Sequence, residues 1–351
     1  MGVVTIDDEE EPAMQTYAAI DLHSNNGVLA IIDDTDKILK QRKLPNRLES
    51  FVEELEPFRS SLQGVAIEST FNWYWLVDGL RAHNFPAVLV NTAAIQQYEG
   101  LKHSDDRYDA WWLAHMMRLG ILPKGYIYPR EERAVRDLLR KRASLVRQRT
   151  ANILSVQNLE QRNRATKISS NEVKHLSAAQ IDELYENEHL GLAVKATVKV
   201  IEALSEQTRV LEHAVLKKAR LREEFKLVLT VWGIGEILGL TIMYEAGEMS
   251  RFAMVGDFAS YCRCVDARRL SNGKKKADNN AKNGNKYLAW AFVEAAHFAV
   301  RFYPEAKRFH DRKAANTNGV VAIKSLAHKL ARATFHVLRD QVPFDPKKIF
   351  A

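Results

Sequence analysis

Three short apolar runs near the start of the chain, each separated from the next by a few polar residues, constrain the fold more than any other feature. Thr16–Leu22 (TYAAIDL), Gly27–Ile32 (GVLAII) and Lys37–Lys43 read as strands, with turns at His23–Asn26 and Asp33–Asp36. Parallel neighbours need a connection of a dozen or more residues, so these three must pair as an antiparallel meander. The pattern then changes. Arg47–Phe58 carries Leu48, Phe51, Val52 and Leu55 at helical spacing, Gly64–Ile67 and Ala87–Val90 are buried strands, and Tyr74–His83 is a helix between them. A further helix starts near Asp106 and carries Ala110, Leu113, Ala114 and Met117.

The order β-β-β-α-β-α-β-α is similar to that of ribonuclease-H-like folds. Residues 15–125 are therefore expected to form an α/β domain, behind a disordered acidic lead-in at residues 1–14. The rest reads as helical. A long basic helix over Glu131–Gln161 has an apolar stripe of Val135, Leu138, Leu139, Val146, Ile153 and Leu154; a polar stretch at Ser169–Asn171 breaks the pattern. A second long helix, Leu192–Phe225, places Val194, Val198, Ile201, Leu204, Leu211, Val215 and Leu216 near heptad spacing. Residues 126–226 are thus a helical, coiled-coil region, pairing either within the chain or with a second copy. A mostly helical C-terminal domain at 227–345 follows, opening with a Gly233-Ile-Gly235 turn of helix-hairpin-helix type. Arg268–Gly284, polar and basic, is expected to be an exposed loop.

Charge divides along the same line. Residues 1–130 hold 12 Lys+Arg against 19 Asp+Glu, and the remainder 39 against 25. An acidic module joined to a basic one suits a polyanionic partner only if cations neutralise the acids. With 46% hydrophobic residues the chain is not disordered, and its two cysteines, Cys262 and Cys264, exclude a disulfide framework and a four-cysteine zinc site. No run of about 18 apolar residues offers a membrane span, and no apolar leader follows Met1, so the expected location is the cytoplasm.

Four acids stand where their elements make them useful. Asp21 closes the first strand, Glu68 ends the fourth, and Asp106 and Asp109 are three apart at the head of a helix, hence on one face. Asp105 adjoins them, and the helical spacing to Asp109 selects Asp106. In a ribonuclease-H-like sheet the first and fourth strands are neighbours, so the four converge. Such a cluster makes chemical sense with two Mg²⁺ ions, Mn²⁺ being the alternative, clamping a phosphodiester.

The segments Ala19-Ile-Asp21, Ile67-Glu-Ser-Thr70 and Ser104-Asp-Asp-Arg-Tyr-Asp-Ala110 resemble the DEDD transposases of bacterial insertion sequences, relatives of the RuvC-like Holliday-junction resolvases. Glu245-Ala-Gly-Glu, Arg251-Phe and Lys282-Asn-Gly-Asn-Lys-Tyr-Leu288 resemble their C-terminal domain, and the likeness runs from residue 16 to about 340. It is greatest to the branch whose members use a noncoding bridge or seeker RNA.

The resemblance implies a composite site in which Ser271 attacks DNA to form a phosphoserine, the four acids hold the metal, and a homodimer or homotetramer acts on double-stranded DNA in the bacterial nucleoid under a guide RNA. On its residues alone, Ser271 in Leu270-Ser-Asn-Gly-Lys-Lys-Lys276 is either a turn serine or a hydroxyl served by surrounding cations. Asn272 stands between Ser271 and Gly273 where the family more often has Ser-Gly, and Cys264-Val-Asp replaces a Gly-Leu-x-Pro stretch. Candidate phosphate contacts are Arg140, Lys141, Arg142, Arg147 and Arg149 on the long helix, the N–H groups of Gly233 and Gly235, and Lys274, Lys275, Lys276, Lys282, Asn285 and Lys286. Asn72-Trp-Tyr-Trp75 and Trp111-Trp112 read as core aromatics rather than stacking platforms, and His23, His103 and His115 show no ligand spacing. A DNA invertase without guide RNA, a metal-dependent junction nuclease and a catalytically silent scaffold are the rivals. An actin-like kinase would want glycine-rich phosphate loops where His23-Ser-Asn-Asn stands.

Overall fold

A computed structural model of the chain describes residues 14–95, 105–219, 222–265, 268–271, 274–278 and 283–350, by backbone alone at 218–219, 268–271 and 274–278. Residues 1–13 of the acidic lead-in, His103 and Lys282 lie outside the described residues. The chain divides into two compact units, Met1–Ile127 and Tyr128–Ala351.

The first unit is a five-stranded sheet between helices. Strands β1 (Thr16–Leu22), β2 (Asn26–Asp33) and β3 (Ile38–Pro45) form the antiparallel meander, followed by α1 (Leu48–Leu55), β4 (Leu62–Glu68), α2 (Tyr74–Ala82), β5 (Ala87–Val90) and α3 (Asp106–Arg118). The strand order is β3-β2-β1-β4-β5, with β1–β4 and β4–β5 parallel. Strand parity explains the layers. Ala18, Ile20, Leu22, Val65 and Ile67 face Phe51 and Leu55 of α1 and Leu76, Val77 and Leu80 of α2; Ala19, Ala66 and Val90 face Leu113, Ala114 and Met116 of α3. Small residues on this second face let α3 approach closely, and a Cβ on Gly64 would lie 2.7 Å from Sδ of Met117.

The second unit opens with α4 (Arg130–Arg164), ended by Ala165 in the left-handed region at φ 53°. Two short helices follow, α5 (Ser170–His175) and α6 (Ala178–Leu184), each opened by a capping box: Ser169 with Glu172, and Ser177 with Gln180. The polar stretch at Ser169–Asn171 therefore starts a helix. Next comes α7 (Glu188–Ala219), which runs antiparallel to α4 within the chain. Arg142 meets Glu212 at 2.7 Å, Arg149 meets Ser205 at 3.4 Å, and Ile153 and Val156 share a core with Val194, Val198 and Ile201. Val156 occupies the stripe where Leu154 was expected, and Leu154 is 51% exposed.

The C-terminal elements are α8 (Glu223–Val228), α9 (Glu236–Ala246), α10 (Val255–Tyr261), β6 (Arg268–Ser271), β7 (Lys274–Asp278), α11 (Lys286–Phe302), α12 (Pro304–Asn316), α13 (Gly319–Asp340) and α14 (Lys347–Phe350). Helix α9 is buried all round from Leu238 to Ala246, apolar but for Thr241, Tyr244 and Glu245, so it forms the centre of this core. The expected exposed loop holds two paired strands: β6 pairs antiparallel with β7, Ser271 opposite Lys274. Both cysteines are free thiols. Among the described residues no helix is long and apolar enough to cross a membrane.

Candidate active site

Parity along β1 and β4 puts Asp21 and Glu68 on the face that also carries Ala19 and Ala66, against α3. Ile20 pairs with Ile67 in the parallel register, so the two acids are the next residues on neighbouring strands. Helix α3 supplies the others. Asp105 is its N-cap, accepting from Tyr108 N at 2.8 Å, which leaves Asp106 and Asp109 in the first turn facing the sheet acids.

Two of these carboxyls are perturbed by their surroundings and by the other acids. Glu68 is pushed up to about 8 by burial, by its hydrogen bond with Asp21 and by the charges of Asp21 and Asp109. Asp109 is also raised, by burial and then by Asp21, Asp106 and Asp105. A cation beside Glu68 and Asp109 would favour their charged forms and offset both burial and the neighbouring acids. The donor set, carboxylates alone but for one imidazole, fits a divalent ion.

That imidazole is His23, which carries no ligand signature in the sequence. Its Nε2 lies 3.2 Å from Oδ2 of Asp21 and 3.3 Å from Oδ2 of Asp106. One ligand atom from each of the three lies within 4.8 Å of the others. The turn bearing His23 is fixed from both sides: Asn46 and Asn72 each donate to its carbonyl at 3.0 Å. Asn72 thus serves the turn, while Trp73 is buried and Trp75 packs on Phe51. His115 binds Asp36 at 2.7 Å beside Arg118 and has a packing role.

In the second unit several expected phosphate contacts point inward. Glu245, 1% exposed, receives Arg140 through two bonds of 2.6 and 2.7 Å, and Asn285 donates to it at 2.7 Å. Asn285 also caps α11, accepting from Tyr287 N and Leu288 N. Arg140 and Asn285 are therefore committed to an internal network, a buried carboxylate demanding such partners. Arg142 is held by Glu212, whereas Lys141, Arg147 and Lys286 are exposed. Gly233 has φ 80°, and a Cβ there would fall 2.0 Å from the Ala295 carbonyl oxygen, so close approach to α11 explains this glycine; at Gly235 a Cβ would meet open space.

The network also grips the neck of the β6–β7 segment. Asn285 N donates to Tyr261 O at 2.6 Å, and Arg263 donates to Gly284 O at 2.9 and 3.1 Å. Ser271 lies in β6, within the segment so closed.

Comparison with known proteins bears on both units. Residues 18–161 match a family of DEDD type described as Transposase, and residues 225–311 match the family described as Transposase IS116/IS110/IS902. No curated protein matches the chain. The first match spans all four acids, the second starts just before the Gly233 turn and includes Glu245, Ser271 and Asn285, and together they cover more than half of the sequence. A β-meander that delivers acids to one helix face and a helical core built on a buried α9 thus answer to the two halves of one kind of protein: the chain belongs to the IS110 family of transposases.

Proposed function

We propose that this transposase cuts and rejoins double-stranded DNA through a phosphoserine formed on Ser271, with Mg²⁺ held by Asp21, Glu68, Asp106 and Asp109 and with a noncoding RNA choosing the target. The observation that carries the reading is the placement of Asp21 and Glu68 on neighbouring strand ends opposite the first turn of α3, with Glu68 and Asp109 raised first by burial and then by their acidic neighbours. Bound divalent cations would neutralise the four acids and stabilise charge developing on the phosphoryl oxygens. In the proposed step the Oγ of Ser271 bonds to phosphorus, one P–O bond to deoxyribose breaks, and the sugar oxygen leaves with the proton that Ser271 gives up. The run Lys274-Lys-Lys276 follows Ser271 closely in the sequence, and positive charge there would favour the phosphate. Exchange of two duplexes needs four strand events, which supports a dimer or tetramer; the guide RNA rests on the family resemblance.

The test uses a nicked element-end duplex that traps covalent product. Ser271→Ala should abolish the protein–DNA adduct and keep DNA binding, and Asp21→Ala should abolish Mg²⁺-dependent cutting. Undiminished strand exchange by Ser271→Ala would remove the serine, and cutting without adduct would leave a junction nuclease. Sequencing RNA that copurifies with the protein tests guidance; only random host fragments would favour an invertase.

A further inference from the structure

Resting on the four-acid reading above, we infer that His23 is a nitrogen ligand of the same centre and turns its preference from Mg²⁺ towards Mn²⁺ and the heavier first-row divalent ions. Three observations carry it. The first is distance: ligands at right angles on one ion of about 2.1–2.2 Å bond length stand about 3 Å apart, and Nε2 of His23 lies 3.2 and 3.3 Å from oxygens of Asp21 and Asp106. The second is direction. This nitrogen is shielded from solvent yet makes no hydrogen bond of proper geometry among the described residues, so it is directed at neither oxygen. A histidine placed to pair with two carboxylates would donate to at least one.

The third is preorganisation. His23 follows β1 directly in the turn to β2, its imidazole beside Asp21, and its carbonyl is held by the Asn46 and Asn72 amides. Those bonds use backbone oxygen and leave the imidazole free of the turn's own needs. The side chain is 38% exposed, so its removal leaves the core intact.

The chemistry follows from ligand type. Carboxylates suit Mg²⁺ and Mn²⁺ alike, whereas an imidazole suits transition ions and is a poor match for Mg²⁺, which keeps oxygen and water. One nitrogen among four carboxylates therefore leaves Mg²⁺ binding nearly unchanged and strengthens Mn²⁺ binding.

The experiment uses the full chain stripped with chelator, then titrated with MnCl₂ alone and followed by electron paramagnetic resonance. The bound Mn²⁺ should show the nuclear modulation of a directly coordinated ¹⁴N, and His23→Ala should lose it while its Mn²⁺ dissociation constant rises about tenfold. Its Mg²⁺ constant, read by competition, should change by less than about threefold. Mn²⁺ bound to the wild type without ¹⁴N modulation would overturn the role of His23 and leave the four acids standing. Equal losses of Mn²⁺ and Mg²⁺ affinity in His23→Ala would overturn the selectivity. Absence of any bound Mn²⁺, in the wild type as in Asp21→Asn, would overturn both readings.

Discussion

Burial, and after it the neighbouring Asp21 and Asp109, holds a proton on Glu68. Its carboxyl titrates near 8 in the fold against 4.5 for a free glutamate, so between these values the native state holds a proton that the unfolded chain has lost. Stability must therefore fall as pH rises through that window, and the raised Asp109 acts in the same direction. Metal-free protein should lose melting temperature steadily between about pH 5 and about pH 8.5. Glu68→Gln should flatten that slope, and saturating divalent metal should reverse it. A melting temperature that climbs across the window in chelator would contradict the raised Glu68 and Asp109. The positions of the acids on their elements were legible in sequence, since strand ends and an i, i+3 pair follow from local periodicity. His23 was not: a histidine two residues past a strand acid says nothing until the register of α3 against β1 is known.

At the scale of elements, the Arg140–Glu245–Asn285 network joins α4, α9 and the start of α11. Breaking a buried pair leaves an uncompensated charge, so Glu245→Ala should cost about 3–5 kcal/mol in urea unfolding. A cost near that of an exposed pair, below about 1 kcal/mol, would show that the network carries no stability. Gly233→Ala should cost more than about 1 kcal/mol, because its φ of 80° and the Ala295 carbonyl both exclude a Cβ. Gly235→Ala, at φ −90° in open space, should be nearly neutral. Equal effects at the two positions would rule out this packing account. Sequence reasoning gave Arg140 and Asn285 to DNA because their partner is 105 and 40 residues away. It also missed the pairing of β6 with β7, for lysines in succession show no alternation. Asn272-Gly273, the favoured pair for a two-residue hairpin turn, was the signal available. The capping boxes at Ser169 and Ser177 were likewise written in the sequence, but masked by the low hydrophobicity of the short helices they open.

For the whole molecule, the acidic and basic parts of the chain belong to different compact units, and the family implies DNA as their common substrate. Lys141 and Arg147 are exposed on α4 and free to meet phosphates, so neutralising either to Gln should lower the slope of log binding constant against log salt by about 1. Unchanged slopes for both would take α4 off the DNA path. The β-meander and parallel crossovers of the first unit were readable because connection lengths dictate them. The packing of α4 on α7 was open, since heptad spacing serves an internal partner as well as a second copy. The central claim, that Asp21, Glu68, Asp106 and Asp109 hold divalent metal in common, is tested most directly by anomalous diffraction from crystals of the full chain grown with Mn²⁺. Peaks within about 2.3 Å of oxygens from all four residues are expected; Mn²⁺ bound elsewhere, with the four carboxyls sharing no ion, would contradict it.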